Sequence, residues 1–174
     1  MSRLQRTIDK YGFTEIAREN GWVGGTPNQS YPRNSYISED GSYVTIYYSK
    51  PALKGREAFG EKSPLAPVGE VWRTGANEAT TFTVSKAVKI NGQALAAGTY
   101  GLFTIPGATE WTIIFNKTAK QWGAYEYKAA DDVLRVKVKP TTLAMPVEQF
   151  TITADKKGKV SLMWAKTEAS FMVK

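Results

Sequence analysis

An all-β fold, an antiparallel β-sandwich of about nine or ten short strands behind a short helical arm, follows from three features of the sequence. From Ser35 onward, apolar and polar residues alternate with period two. Turn-forming pairs punctuate the alternating runs: Asp40-Gly41, Asn91-Gly92 and Pro106-Gly107. No helical segments interleave with these runs, so a parallel βαβ sheet is not indicated.

Residues 3–20 are expected to form the helix. Leu4, Ile8, Tyr11 and Ile16 roughly share a face, Gly12 interrupts it and Gly21 is a stop. The following stretch to Pro32 is rich in turn formers. Residues 1–34 therefore read as an arm or extension, and 35–174 as the β-sandwich domain. Leu4, Ile8, Tyr11, Trp22 and Tyr31 are the candidate anchors to a protein partner. The arm folding back onto its own domain is equally open, because a short helix persists only against a tertiary surface and either one serves.

The strands follow in order. Tyr36-Ile37 and Tyr43 to Tyr48 flank Asp40-Gly41 as a hairpin. Thr80 to Val84 and Val88 to Ile90 lead into Asn91-Gly92, the strongest hairpin signal in the chain. Thr99 to Ile105 and Trp111 to Phe115 are separated by Pro106-Gly107. Leu134, Val136 and Val138 alternate with Arg135, Lys137 and Lys139, which places one face in the core and one in water. Phe150 and Ile152 alternate with threonines, Val160, Leu162 and Trp164 continue the pattern, and Phe171 is expected to open the last strand.

The chain has 174 residues, enough for one domain with a full core. It has no cysteine and no histidine. Disulfides, thiolate nucleophiles and imidazole bases are thereby excluded, and with them Cys- or His-based metal sites. No P-loop or nucleophile-elbow string occurs, so no cofactor and no metal is expected. No apolar run is long enough for a transmembrane helix. The net charge of +7 favours acidic partners but is spread along the chain, without a run of five like charges. With no nucleic-acid motif, nucleic-acid binding ranks last among the readings.

From Tyr48-Ser49-Lys50-Pro51 onward the chain becomes familiar. Gly69-Glu70-Val71-Trp72-Arg73-Thr74-Gly75-Ala76-Asn77-Glu78 follows, then Ala97-Gly98-Thr99-Tyr100-Gly101-Leu102-Phe103 and Gln121-Trp122-Gly123. These strings closely resemble the bacterial family catalogued as domain of unknown function 2911, over roughly residues 35–170. The resemblance implies a β-rich fold and an exported or lipid-anchored envelope (periplasmic) protein. It implies no activity. Residues 1–34 have no counterpart in it, and they carry no export signal; if Met1 is the translation start, the reading is cytoplasmic.

Two loops hold most of the noteworthy polar residues. Lys54 and Arg56 lie on one, and Trp72, Arg73, Asn77 and Glu78 on the other. Converging, they would suit a small anionic ligand or an acidic sugar. The structural alternative has Arg73 paired with Glu78 to pin the loop while Trp72 fills the core. Gln121 and Trp122, with Asn116 and Tyr125 near them, suit a sugar or peptide; alternatively Trp122 is a hydrophobic plug. Carboxylate pairs (Glu57 with Glu78, or Asp131 with Asp132) are what remains for catalysis.

These features order the functional readings. First comes a non-enzymatic accessory module, attached to a larger membrane-associated or envelope complex through its arm and basic surface. Second is a small-ligand or glycan-binding β-sandwich using the Trp72 to Glu78 loop. A carboxylate-dependent hydrolase comes third.

Overall fold

The computed structural model describes residues 14–17, 32–37, 42–155 and 157–174. In chain order the strands are β1 (Thr14–Ala17), β2 (Pro32–Ile37), β3 (Tyr43–Tyr47), β4 (Phe59–Gly60), β5 (Ala66–Pro67), β6 (Thr80–Val84) and β7 (Val88–Ile90). They continue with β8 (Gln93–Leu95), β9 (Gly98–Ile105), β10 (Trp111–Asn116), β11 (Asp132–Val138), β12 (Thr141–Ala154) and β13 (Lys159–Met172). A 3-10 turn, Ala129–Asp131, precedes β11.

Seven strands form one antiparallel sheet in the order β1-β2-β3-β6-β9-β10-β11. Period-two side-chain direction gives this sheet two different faces. Val44 and Ile46 of β3, Phe82 and Val84 of β6, Leu102 of β9, Ile113 and Phe115 of β10 and Val136 of β11 enter one core. The long hairpin of β12 with β13 supplies Phe150, Ile152, Leu162, Trp164 and Phe171 to that same core. The all-β, antiparallel expectation therefore holds.

The helix expected over residues 3–20 is not found among the described residues. Its described part, Thr14–Ala17, is strand β1, paired with β2 from Thr14 opposite Ser35 to Ala17 opposite Pro32. A free sheet edge satisfies these backbone groups, and β-branched Thr14 and Ile16 suit a strand. Leu4, Ile8, Tyr11, Trp22 and Tyr31 lie outside the described residues. Strand β2 begins at Pro32 and pairs with β3 up to Ile37 opposite Tyr43.

The Asp40-Gly41 turn lies outside the described residues, while the turn expected at Asn91-Gly92 is found. Asn91 and Gly92, at φ 47 and 85, join β7 to β8 with both central residues left-handed, as a two-residue hairpin turn requires. The last strands differ from expectation. Phe171 opens no new strand but lies within β13, one 14-residue element. Ala165, at φ 50, sits at an irregularity in its pairing with β12. β12 is also longer than its alternation suggested. Its first nine residues contain no buried side chain, and Pro146 falls where the register shifts.

Candidate functional site

Part of the second face of the large sheet is built from hydroxyls. Thr45 of β3, Thr83 of β6 and Thr99 of β9 stand directly opposite one another across three strands. Thr83 and Thr99 share a hydrogen bond of 2.9 Å between their hydroxyls. One step along, Tyr47 is opposite Thr81, which is opposite Gly101. Gly101 is where another segment meets the sheet: a Cβ there would lie 3.0 Å from the Thr118 carbonyl oxygen and 2.9 Å from the Phe103 ring. The missing side chain lets the segment after β10 cross this face.

That segment forms a wall. The backbone N–H of Ala79 donates to the Gln121 carbonyl at 2.9 Å, and that of Gly123 to the Asn77 carbonyl at 2.8 Å. Glu78 and Trp122 face each other in the resulting short antiparallel bridge. Between wall and sheet lies a cavity of about 750 Å³, a usual size for a small-molecule site. Its floor carries Tyr43, Thr45, Tyr47, Thr81, Thr83 and Thr99; Glu78, Lys120, Gln121 and Trp122 line the side. Trp122 is 58 % exposed.

A polar network behind the wall holds it in place. Gln121, 6 % exposed, donates its side-chain amide to the Thr118 carbonyl at 2.6 Å and to Asn116 Oδ1 at 3.3 Å. Asn116 donates to Asp132 Oδ1 at 2.9 Å and to the Lys128 carbonyl at 3.1 Å. Asp132 also accepts from the Tyr127 hydroxyl at 2.5 Å and from Arg135 Nε at 2.9 Å, while Arg135 Nη2 donates to the Tyr127 oxygen at 2.9 Å. Burial, then the hydrogen bond to Asp132, pushes the Tyr127 hydroxyl up to about 12. Hydrogen bonds to Asp132 and Tyr127 raise Arg135 as well. Asp131, which accepts from Thr118 Oγ1 and pairs with Lys117 at 3.3 Å, is held below the usual carboxylate range, chiefly by the Thr118 bond. Under the wall, Phe103, Ile114 and Ala79 form a small second core with Tyr127 against it.

The family model for proteins of unknown function, DUF2911, matches residues 32–173, which takes in the sheet, the wall and the β12–β13 hairpin. The chain belongs to the DUF2911 family. No curated protein and no solved structure matches it.

Within this DUF2911 domain the sequence-predicted residues separate into three groups. Trp72 lies in the core: it is 3 % exposed, stacks on Trp164 with ring centroids 5.7 Å apart, and donates its indole N–H to the Gly75 carbonyl at 3.1 Å. Lys54 and Arg56 belong to a separate turn. The Lys54 backbone N–H donates to Glu148 Oε2 at 3.1 Å, and Arg56 spends Nε and Nη2 on the carbonyls of Leu53 and Ala52, both at 2.9 Å. Among the described residues, no hydrogen bond or ion pair joins them to the Trp72 to Glu78 loop.

The third group meets at the wall: Asn77 and Glu78 from one loop, Gln121 and Trp122 from the other, with Arg73 beside them. Two left-handed residues, Thr74 at φ 57 and Asn77 at φ 59, shape the first loop. Ser49 Oγ pins it at the Ala76 carbonyl at 2.7 Å, and Thr80 Oγ1 at the Thr74 carbonyl at 2.6 Å. Backbone and hydroxyl contacts thus do the pinning that an Arg73–Glu78 pair was expected to do, and no such ion pair forms. Nor is Trp122 a plug. Among the described residues no three carboxylates gather as a metal site.

The cavity floor was not anticipated. Its signal lay in the outward positions of β3, β6 and β9, where Tyr and Thr replace the charged residues that usually face water.

Proposed function

We propose that this DUF2911 domain is a non-enzymatic binding module that takes a polyhydroxylated ligand, a saccharide, in the cavity on the outer sheet face. The observation that carries the reading is the pairing of hydroxyl rows on the floor with the half-exposed indole of Trp122 on the wall. A sugar presents apolar C–H faces, which stack on an indole, and hydroxyls, which exchange hydrogen bonds with Thr and Tyr. An exposed Trp on a braced segment loses little freedom on binding. The test is calorimetric titration of the full chain with a panel of neutral and acidic oligosaccharides. Trp122→Ala is expected to abolish the heat of binding without lowering the melting temperature. Unaltered binding by that variant would place the ligand elsewhere.

A second reading is an accessory subunit of a larger membrane-associated or envelope complex. It is supported by the outer half of β12, where Met145 is 76 % exposed on a segment with no buried residue, and by the net charge of +7. Native-gel migration of the protein from its own cells checks it. Removal of residues 1–13, which leaves β1 whole, and Met145→Asp are each expected to release the domain from the complex. Migration of the unaltered protein as a free species would exclude this reading.

A further inference from the structure

Arg73 differs from two of the other cations near the wall. Arg135 is committed to Asp132, and Lys117 to Asp131. Arg73 has no ion pair among the described residues, and its Nε is shielded from solvent without a hydrogen-bond partner. Its aliphatic stem runs beside Gly123, the residue after Trp122: a Cβ on Gly123 would sit 3.8 Å from Arg73 Cδ and 3.1 Å from the Tyr125 ring. Tyr125 is 89 % exposed, and it opposes in part the lowering of the Arg73 pKa by burial.

We propose that Arg73 is a carboxylate subsite flanking the cavity, and that the ligand is therefore an acidic saccharide. This inference rests on the saccharide reading above. A guanidinium offers parallel N–H donors that match the two oxygens of a carboxylate. The Arg73 stem packs beside Gly123, which follows the stacking indole of Trp122 in the chain, and adjacent Cα atoms are about 3.8 Å apart. A sugar on Trp122 therefore brings a ring carboxylate, or that of the next residue, within reach. Burial already disfavours the Arg73 cation, lowering its pKa. An anion that closes over it offsets that cost, whereas a neutral sugar leaves the cost in place. The Tyr125 ring lies beside the same Gly123, and its exposed phenol offers such a carboxylate a further donor.

The experiment compares galacturonate and mannuronate oligosaccharides with their methyl esters, which keep the skeleton and remove the charge. Titrations use the full chain and its Arg73→Gln, Arg73→Lys and Trp122→Ala variants. The acid is expected to bind the unaltered protein about tenfold or more tighter than its ester, in line with a charge-assisted hydrogen bond. Arg73→Gln should erase that ratio and leave ester affinity within about twofold. Arg73→Lys should keep part of the ratio, and it carries the test if the Gln variant does not fold. Equal affinity for acid and ester overturns the carboxylate subsite and leaves the saccharide reading standing. A preference that survives Arg73→Gln overturns the role of Arg73. Failure of every acid and ester to bind overturns both readings.

Discussion

Asn116 and Asp132 face each other at the bulge that ends the pairing of β10 with β11, joined by a 2.9 Å hydrogen bond from the amide to the carboxylate. The bulge turns Asn116 so that its own oxygen receives the Thr118 N–H at 2.9 Å and the Gln121 amide. The end of a strand thereby positions the wall of the cavity.

Asp132→Ala should be the most damaging change in this network. It removes the acceptor of Asn116, Tyr127 and Arg135 at once, at a carboxylate whose side chain is nearly buried. A loss of about 2–4 kcal/mol is expected in urea unfolding, from donors left unsatisfied. Hydrogen exchange should quicken at Gly123 and Ala79, whose N–H groups hold the wall. Unchanged protection there would mean that the wall stands without the network.

The network also predicts a pH dependence. The folded-state Tyr127 hydroxyl is raised from 10.0 to about 12, so folding favours the neutral phenol. Its contribution is complete below 10 and is lost as pH rises toward about 12. Stability of the native chain should fall more steeply over that window than stability of Tyr127→Phe. Parallel curves for the two proteins would refute the assignment.

Two tryptophans should respond in opposite ways. Trp72→Ala removes a stacked core ring and its N–H bond to Gly75, and should cost about 3–5 kcal/mol. Trp122→Ala should change stability by no more than about 0.5 kcal/mol, because the ring is half in water. Chemical denaturation of both checks the contrast.

Gly158 and Gly92 separate strain from collision. Both have positive φ, 88 and 85. A Cβ at Gly158 would come within 2.1 Å of the Val173 carbonyl oxygen, whereas at Gly92 nothing lies within 4 Å. Gly92→Ala should therefore cost about 1 kcal/mol, the left-handed penalty alone. Gly158→Ala should cost well over twice as much, because the Val173 N–H bond to the Gly158 carbonyl at 2.8 Å must also shift. Equal melting temperatures would contradict this geometry.

Local chemistry made the strands, the Asn91-Gly92 turn and the family legible, because period-two alternation and left-handed turn residues act over a few neighbours. The same reasoning misplaced Thr14–Ala17, whose strand comes from a sheet edge offered by β2, far along the chain from any local signal. It also left open whether Lys54 and Arg56 converge with Arg73. Composition suggests that cations gather, but carbonyls and Glu148 claim the first turn while backbone bonds draw Asn77 and Glu78 to Gln121 and Trp122. The cavity belongs to neither loop alone. It exists because the registers of β3, β6 and β9 bring Thr45, Thr83 and Thr99 into one row, and because Gly101 admits the Thr118 backbone across it. Such long-range pairing is set by how the whole sheet closes its core, and no window of the sequence contains it.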